Sequence, residues 1–517
     1  MSLSRRELLV GAAIGAAATL GGSGSARAQG RVLTMGDPGY AAATLRGYNR
    51  RFLAQPQRVV LASTGEQVCE AVAAAVQQRM RPAVRAGGHC FDDFVDNPET
   101  QVLVDVGQLD EIGWDERYRA FSVGAGARLG AVYAGLDRWG VTIPAGICQG
   151  VGAGGHFSGG GYGPLSRRHG LVADHLFGVE VVTVDERGRA RAVVATREGP
   201  HQDLWWAHTG GGGGNFGVVT RFLLRSPGVD GADPRAALPR SPDSLFTARM
   251  FVPIATEDMF VRLLRNYLDF FYRYRDPGNP FAGLYAPLSV RPTATGFAEM
   301  LILADAQAPD ARDRLEAFVA AVCDGVSAPL LEPATRASYA ETVQRVYYTP
   351  APQPPRVKVK AAYLRRPYTD EQLRICYRRM VDASVIGESE LEFLPFGAAI
   401  NAVAPGATAM PARDSFLTML IHTAWRLPGD DEHFLGWARE FYGALYADSG
   451  GVPVPDARNG GSYINYPDPD LADARFNRSG RAWHELYYGA GYARLQRVKA
   501  RWDPGAVFAH RLAVRAR

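Results

Sequence analysis

Two glycine-rich stretches decide how this chain is read: Arg85-Ala86-Gly87-Gly88-His89, and Gly146-Ile147-Cys148-Gln149-Gly150-Val151-Gly152-Ala153-Gly154-Gly155. The first follows Pro82-Ala83-Val84, which has the pattern of a strand, so the glycines fall where a strand ends in a turn. Successive backbone N–H groups in such a turn form a concavity suited to a pyrophosphate; the same residues also serve a plain tight turn. No Gly-Lys-Ser/Thr follows, so it is not a Walker phosphate loop, and it lacks the Gly-x-Gly-x-x-Gly of a doubly wound dinucleotide site. In the second stretch, Cys148 is by frequency just a small apolar residue. Glycine at this density among strands means backbone approaching something closely, in conformations other residues do not adopt.

Outward from these stretches, short strands alternate with helices from Tyr40 to about Pro227. Strand patterns fall at Arg58–Leu61, Pro82–Arg85, Val102–Asp105, Phe121–Val123 and Val179–Val184, and helical spacing at Glu66–Gln78 and Leu129–Trp139. Gly210–Gly214 runs into Asn215-Phe216-Gly217-Val218-Val219-Thr220, a further strand. From about Val229 the character changes. Longer helices (Glu257–Tyr274, Ala311–Ala321, Thr369–Ala383) alternate with amphipathic strands such as Phe246–Val252 and Met300–Ala304, which suits an antiparallel sheet covered by helices on one face. The tail opens with Tyr463-Ile464-Asn465-Tyr466-Pro467-Asp468. The resulting division is 1–28, 40–228, 229–462 and 463–517.

The 517 residues are 47% hydrophobic and 21% charged, which excludes disorder as the main state and implies two or three domains at roughly 100–200 residues each. A net charge of +4 over 57 basic and 53 acidic residues is nearly balanced and argues against a nucleic-acid partner. The basic residues are almost all arginine; the lysines are only Lys358, Lys360 and Lys499. Five cysteines without a Cys-x-x-Cys pair make neither a disulfide framework nor a zinc site, and no histidine–carboxylate cluster has metal spacing. Ser4-Arg5-Arg6-Glu7-Leu8-Leu9, an apolar Gly/Ala-rich run to Leu20 and Ala26-Arg27-Ala28 make a charged start, an apolar core and a cleavage site. The paired arginines resemble a twin-arginine export signal at 1–28, which predicts a secreted or envelope protein without a stable membrane anchor.

Taken together, strand–Gly87-Gly88-His89, then Gly-x-Cys148-x-x-Val151-Gly152-x-Gly154-Gly155, then Gly214-Asn215-Phe216-Gly217-Val218-Val219-Thr220, then Tyr463-x-Asn465-Tyr466-x-Asp468 occur in order. This succession resembles the berberine-bridge-enzyme-like flavoproteins with the vanillyl-alcohol-oxidase type of FAD domain, over nearly the whole mature chain. Within that family the resemblance runs toward bacterial exported oxidases that tailor antibiotics, such as those acting on aclacinomycin and tirandamycin. The resemblance implies an α+β fold: an FAD domain of two α/β subdomains, a substrate domain with a large antiparallel sheet flanked by helices, and a tail returning to the FAD domain.

It also implies a site. His89 matches the histidine bonded to the 8α carbon of FAD and Cys148 the cysteine bonded to C6, which together mean bicovalent FAD. Gly87 and Gly88, with Arg85 in the same turn, would line the pyrophosphate, while Gly152, Gly154 and Gly155 let backbone approach the cofactor. Val218 and Val219 would approach the adenosine or ribityl portion, and Asn465, with Tyr463 beside it, the ring end. Tyr466 matches a catalytic base; a phenol titrating near 10 needs a nearby positive charge or a hydrogen bond to its phenolate for that role. Asn401 stands where relatives place a polar side chain facing the substrate, so a glutamate base at that position is excluded. Val151 matches the side chain that gates the oxygen pocket. The expected reaction turns a hydroxyl of a polyketide, peptide or appended sugar into a carbonyl, with O2 reduced to H2O2. A carbohydrate oxidase, a flavin dehydrogenase with another acceptor, and a protein that holds FAD without turnover are the rival readings, and the oligomeric state is open.

Overall fold

The computed structural model describes residues 30–292, 296–349, 353–385 and 389–517. The expected export signal at 1–28 lies outside the described residues. Among the described residues no helix is long and apolar enough to cross a membrane.

Three sheets organise the chain. The first has four strands, in the order Arg31–Leu33, Arg58–Leu61, Val102–Asp105, Pro82–Arg85. Its last three strands are parallel, with Val84 beside Val104, and the Gly87-Gly88-His89 turn leaves the carboxyl end of Pro82–Arg85. Sheets of this kind bind ligands beyond the carboxyl ends of their strands. The second sheet has five strands, in the order Ile112–Asp115, Ala120–Gly124, Val218–Leu224, Leu176–Val184, Ala190–Thr196. All of its pairs are antiparallel, so hairpins supply strands where the sequence suggests strand–helix alternation. The helix Gly65–Gln77, capped by the Thr64 hydroxyl accepting from the Gln67 N–H at 3.3 Å, joins the two sheets by burying Val68, Ala71, Val72 and Ala75.

The third sheet has nine strands and is antiparallel throughout. Its central strands are Leu288–Val290, Glu390–Pro395 and Leu417–Trp425, with Arg356–Leu364 at one edge. The helix Glu257–Arg273 lies on one face and buries Phe260, Leu263, Leu264, Tyr267, Leu268 and Phe271 at helical spacing. Its Tyr267 hydroxyl donates to the Ala286 and Phe393 carbonyls, at 2.7 and 3.0 Å, which fixes the helix against the central strands. Strand alternation does the rest. Leu391 and Phe393 face this core, while Glu390, Glu392 and Leu394 point from the same strand into a cavity on the opposite face.

The tail crosses back to the first part of the chain. Lys499, buried in the helix Tyr492–Trp502, donates to the Asn215 carbonyl at 2.6 Å, and Tyr488 donates to Gly211 at 3.0 Å. Just after Tyr466, Asp468 and Asp470 enter a buried charge cluster. Lys358 and Lys360, two apart on the edge strand, reach Asp468 at 2.6 and 2.8 Å, and Arg439 reaches Asp470 at 2.9 Å. Two of the three lysines in the chain therefore hold the segment that carries Tyr466. Removing one member leaves buried charge unpaired, so Asp468→Ala should lower unfolding free energy by about 3–5 kcal/mol in urea titration. A loss under about 1 kcal/mol would mean the cluster is solvated and does not fix the tail.

Candidate active site

The Gly87-Gly88-His89 turn, the Cys148–Gly155 loop, the central strands of the large sheet and the Tyr463–Tyr466 segment converge on one cavity of about 440 Å³. That lies within the range of about 300–1,000 Å³ common to small-molecule and cofactor sites. His89, Cys148, Val151, Val219, Tyr463, Asn465 and Tyr466 all line it.

The two loops meet through their glycines. A Cβ on Gly87 would come within 2.3 Å of the Gly152 backbone nitrogen, and the reverse contact is as short. These glycines let two backbones touch each other, which is a different reason from the expected approach to a cofactor. Gly88 has φ +79°, and a Cβ there would lie 2.8 Å from the Arg46 carbonyl, so the turn itself demands glycine. Gly154 packs against Ala86 and Ala125, whereas a Cβ on Gly155 would meet nothing within 4 Å, leaving bare backbone toward the cavity.

Two of the expected contacts gain detail. Arg85 lines the cavity, and its buried guanidinium pairs with Asp105 at 2.8 Å and donates to the Ala43 carbonyl, which braces the turn. Val218 is buried away from the cavity while Val219 lines it, because neighbours on a strand face opposite sides. Asn401 is also displaced from its expected role. It sits on the short 3-10 turn Ala398–Ala402, donates to the Ser415 carbonyl at 3.1 Å, and is not among the cavity-lining residues. The strand Glu390–Pro395 occupies that wall instead and brings Glu390 and Glu392 into the cavity, a pair of carboxyls that the sequence reading did not single out.

Burial governs the titration of these groups. His89 stacks on Tyr48 at 4.1 Å between centroids, and burial holds its imidazole down at about 4, so it is neutral at pH 7 with a nitrogen lone pair free. Burial pushes the Cys148 thiol up to about 12, with the Glu392 charge adding to the effect. No disulfide joins any of the five cysteines. Burial raises the Tyr466 phenol well above 10, while a hydrogen bond with Tyr162, 2.9 Å between hydroxyls, pulls the other way. Tyr162 thus supplies the hydrogen bond that a phenolate requires, and it comes from Gly161-Tyr162-Gly163, where only a lone tyrosine among glycines marked it. Phe396 packs on Tyr162 with centroids 5.5 Å apart and offers no hydroxyl of its own. Tyr463 accepts from the Gly161 N–H at 3.1 Å and from Asn465 at 2.8 Å, and Asn465 also donates to the His156 carbonyl at 3.0 Å. This small network fixes the turn that presents Tyr466.

The residues fit an FAD. Among the described residues the Gly87 and Gly88 N–H groups have no hydrogen-bond acceptor, so the turn retains donors for an anion. The cavity they open onto is continuous with the walls bearing His89, Cys148 and Tyr466.

Comparison with known proteins agrees. Residues 56–190 match the FAD binding domain family, and residues 462–515 the family described as berberine and berberine like. An aclacinomycin-N/aclacinomycin-A oxidase of Streptomyces galilaeus is 44% identical over 93% of this chain and 88% of its own length. A flavoenzyme of shunt product recycling in caerulomycin biosynthesis superimposes with a TM-score of 0.92 at 45% identity, over 95% of this chain and all (100%) of that one. A glycopeptide hexose oxidase solved with teicoplanin gives 0.91 at 43% identity, over 94% of this chain and 99% of that one.

Proposed function

Because the chain belongs to the berberine-bridge-type FAD-linked oxidoreductases, enzymes acting on CH–OH groups, we propose that it oxidises a hydroxyl of a natural product, a polyketide or a glycosylated antibiotic, to a carbonyl. The observation that carries this reading is the convergence of His89, Cys148 and Tyr466, from three distant segments, on one cavity. FAD, when bound, supplies the acceptor for the hydride that leaves the substrate carbon. His89 and Cys148 are the residues that would hold it covalently, through the 8α and C6 positions. His89 suits this because its imidazole is neutral, and Cys148 must first lose the proton that burial makes it keep.

Tyr466 takes the proton of the substrate hydroxyl. Tyr162, 2.9 Å away, donates to the phenolate oxygen and so lowers the cost of that charge in a buried site. The alcohol gives up one hydride and one proton and becomes a carbonyl; oxygen takes the two electrons with two protons and leaves as hydrogen peroxide. Export by the twin-arginine route is part of the same proposal and rests on the arginine pair and cleavage site at 1–28.

Anaerobic mixing of the holoenzyme with a panel of glycosylated polyketides and glycopeptides tests the oxidase reading. At least one should bleach the flavin band, and the same compound in air should give carbonyl product and hydrogen peroxide in equal amounts. Full reduction with no peroxide on admitting air would favour a dehydrogenase, and no reduction by any secondary alcohol would remove the oxidase reading.

Val151 lines the cavity three residues after Cys148 and is only half-buried. One more methylene would fill space beside the reduced ring that oxygen must enter, since interiors are close-packed. Val151→Leu should therefore slow reoxidation in air by about tenfold or more, the effect of roughly 1.4 kcal/mol on a barrier, with flavin reduction unchanged. Stopped-flow mixing of photoreduced enzyme with aerated buffer measures it. Equal reoxidation rates would put oxygen access elsewhere.

A further inference from the structure

We propose that the wall formed by Glu390 and Glu392 seats a basic group of the substrate, a protonated amine, with Glu392 as its direct counter-ion. The inference rests on reading this cavity as the substrate chamber.

Glu390 and Glu392 lie two apart on one strand, so both side chains leave the sheet on the cavity face. Glu390 already has partners. It accepts from the Ser289 hydroxyl at 2.7 Å, and Arg291 Nε and His422 Nδ1 each stand 3.7 Å away. Glu392 has none: no described residue gives it a hydrogen bond or an ion pair, and its residual exposure is toward the cavity. It lines the same cavity as Tyr285, Tyr348, Cys148 and Tyr466.

This arrangement is costly without a cation. Burial and the neighbouring Glu390 charge push the Glu392 carboxyl well above the carboxylate range, and the Arg291 charge offsets them only in part. A neutral hydroxyl could be held by an amide or a serine at smaller desolvation cost, and would give no reason for a second acid beside the first. An ammonium group repays that cost by restoring the charge on Glu392. Tyr285 and Tyr348 line the same cavity, and aromatic rings attract a desolvated cation.

Benzylammonium and benzyl alcohol, titrated into the holoenzyme and followed by the change in flavin absorbance, form a matched test that needs no turnover. Benzylammonium should bind at least about tenfold more tightly, the scale of a hydrogen bond to a charged group. Glu392→Gln should abolish that preference while benzyl alcohol binding and flavin content stay within about twofold, and Glu392→Asp should keep part of it. Equal affinity for the two probes, including saturation by neither, would overturn the proposal. So would a Glu392→Gln variant that weakens both alike, which would make Glu392 a donor to neutral ligands. The oxidase reading fails on a different measurement, flavin reduction by alcohols, so the two failures are distinguishable.

Discussion

Replacing Tyr466 by phenylalanine should lower turnover by about 10²–10⁴, the usual scale for a positioned acid–base group, with flavin content unchanged. The substitution removes one oxygen from a ring that stays packed against Phe91 and Tyr463, with centroids 5.9 and 5.2 Å away, so the wall keeps its shape. What is lost is the atom proposed to receive the substrate proton. The phenol is held well above its usual pKa, and the phenolate is the basic form, so kcat/KM of the unmodified enzyme should climb as pH rises into the alkaline range. That limb should vanish in Tyr466→Phe. Tyr162→Phe should shift the limb to still higher pH and cost less in rate, because it removes only the hydrogen bond that favours the phenolate. Single-turnover flavin reduction measured between pH 6 and 10 checks both variants. Near-full reduction rates in Tyr466→Phe would mean that the proton leaves by another group.

The second large effect concerns cofactor retention. In the unmodified protein, flavin fluorescence should stay with the denatured polypeptide on a gel after acid treatment. His89→Ala and Cys148→Ala should each keep flavin attached through the remaining linkage, and the double variant should release all of it. The physical basis is that the two side chains line one cavity from separate loops, the turn after Pro82–Arg85 and the loop before Gly152. Those loops are held against each other where the Gly87 and Gly152 backbones touch, so each anchor is positioned by the protein and not by the other's bond to flavin. Free flavin from the unmodified chain would falsify the bicovalent assignment. Complete release by one single variant would reduce it to a single bond. Gly152→Ala offers a folded-state comparison: its methyl would meet the Gly87 backbone, so flavin loading should drop although both anchors remain.

The α+β fold and the family were legible from the sequence alone because they rest on local signals. Strand and helix periodicity, the turn glycines and the order of four short motifs are properties of neighbouring residues, and the helices Gly65–Gln77 and Glu257–Arg273 came within a residue of their periodic patterns. His89, Cys148 and Tyr466 were legible for the same reason, each inside its own motif. The chain pattern could not say which side of a wall a residue faces or what it meets there. That Asp105, from the adjacent parallel strand, pairs with the Arg85 guanidinium is not written in the chain pattern. Asn401 looked like a substrate contact until the turn at Ala398–Ala402 set it against the Ser415 carbonyl.

Tertiary structure alone decided the rest. Tyr162 pairs with Tyr466 across 304 residues of sequence, a hydrogen bond that no local pattern encodes. The two aspartates after Tyr466 find Lys358 and Lys360 only because the tail returns over the edge of the large sheet. Glu390 and Glu392 read along the chain as an ordinary alternating strand, with acids on the face that usually meets water. In the folded protein that face closes the chamber in which Tyr466 stands. Burial there, and not the residue type, raises the Glu392 carboxyl well above the carboxylate range, because a carboxyl's titration is set by the solvent and the partners that folding leaves it.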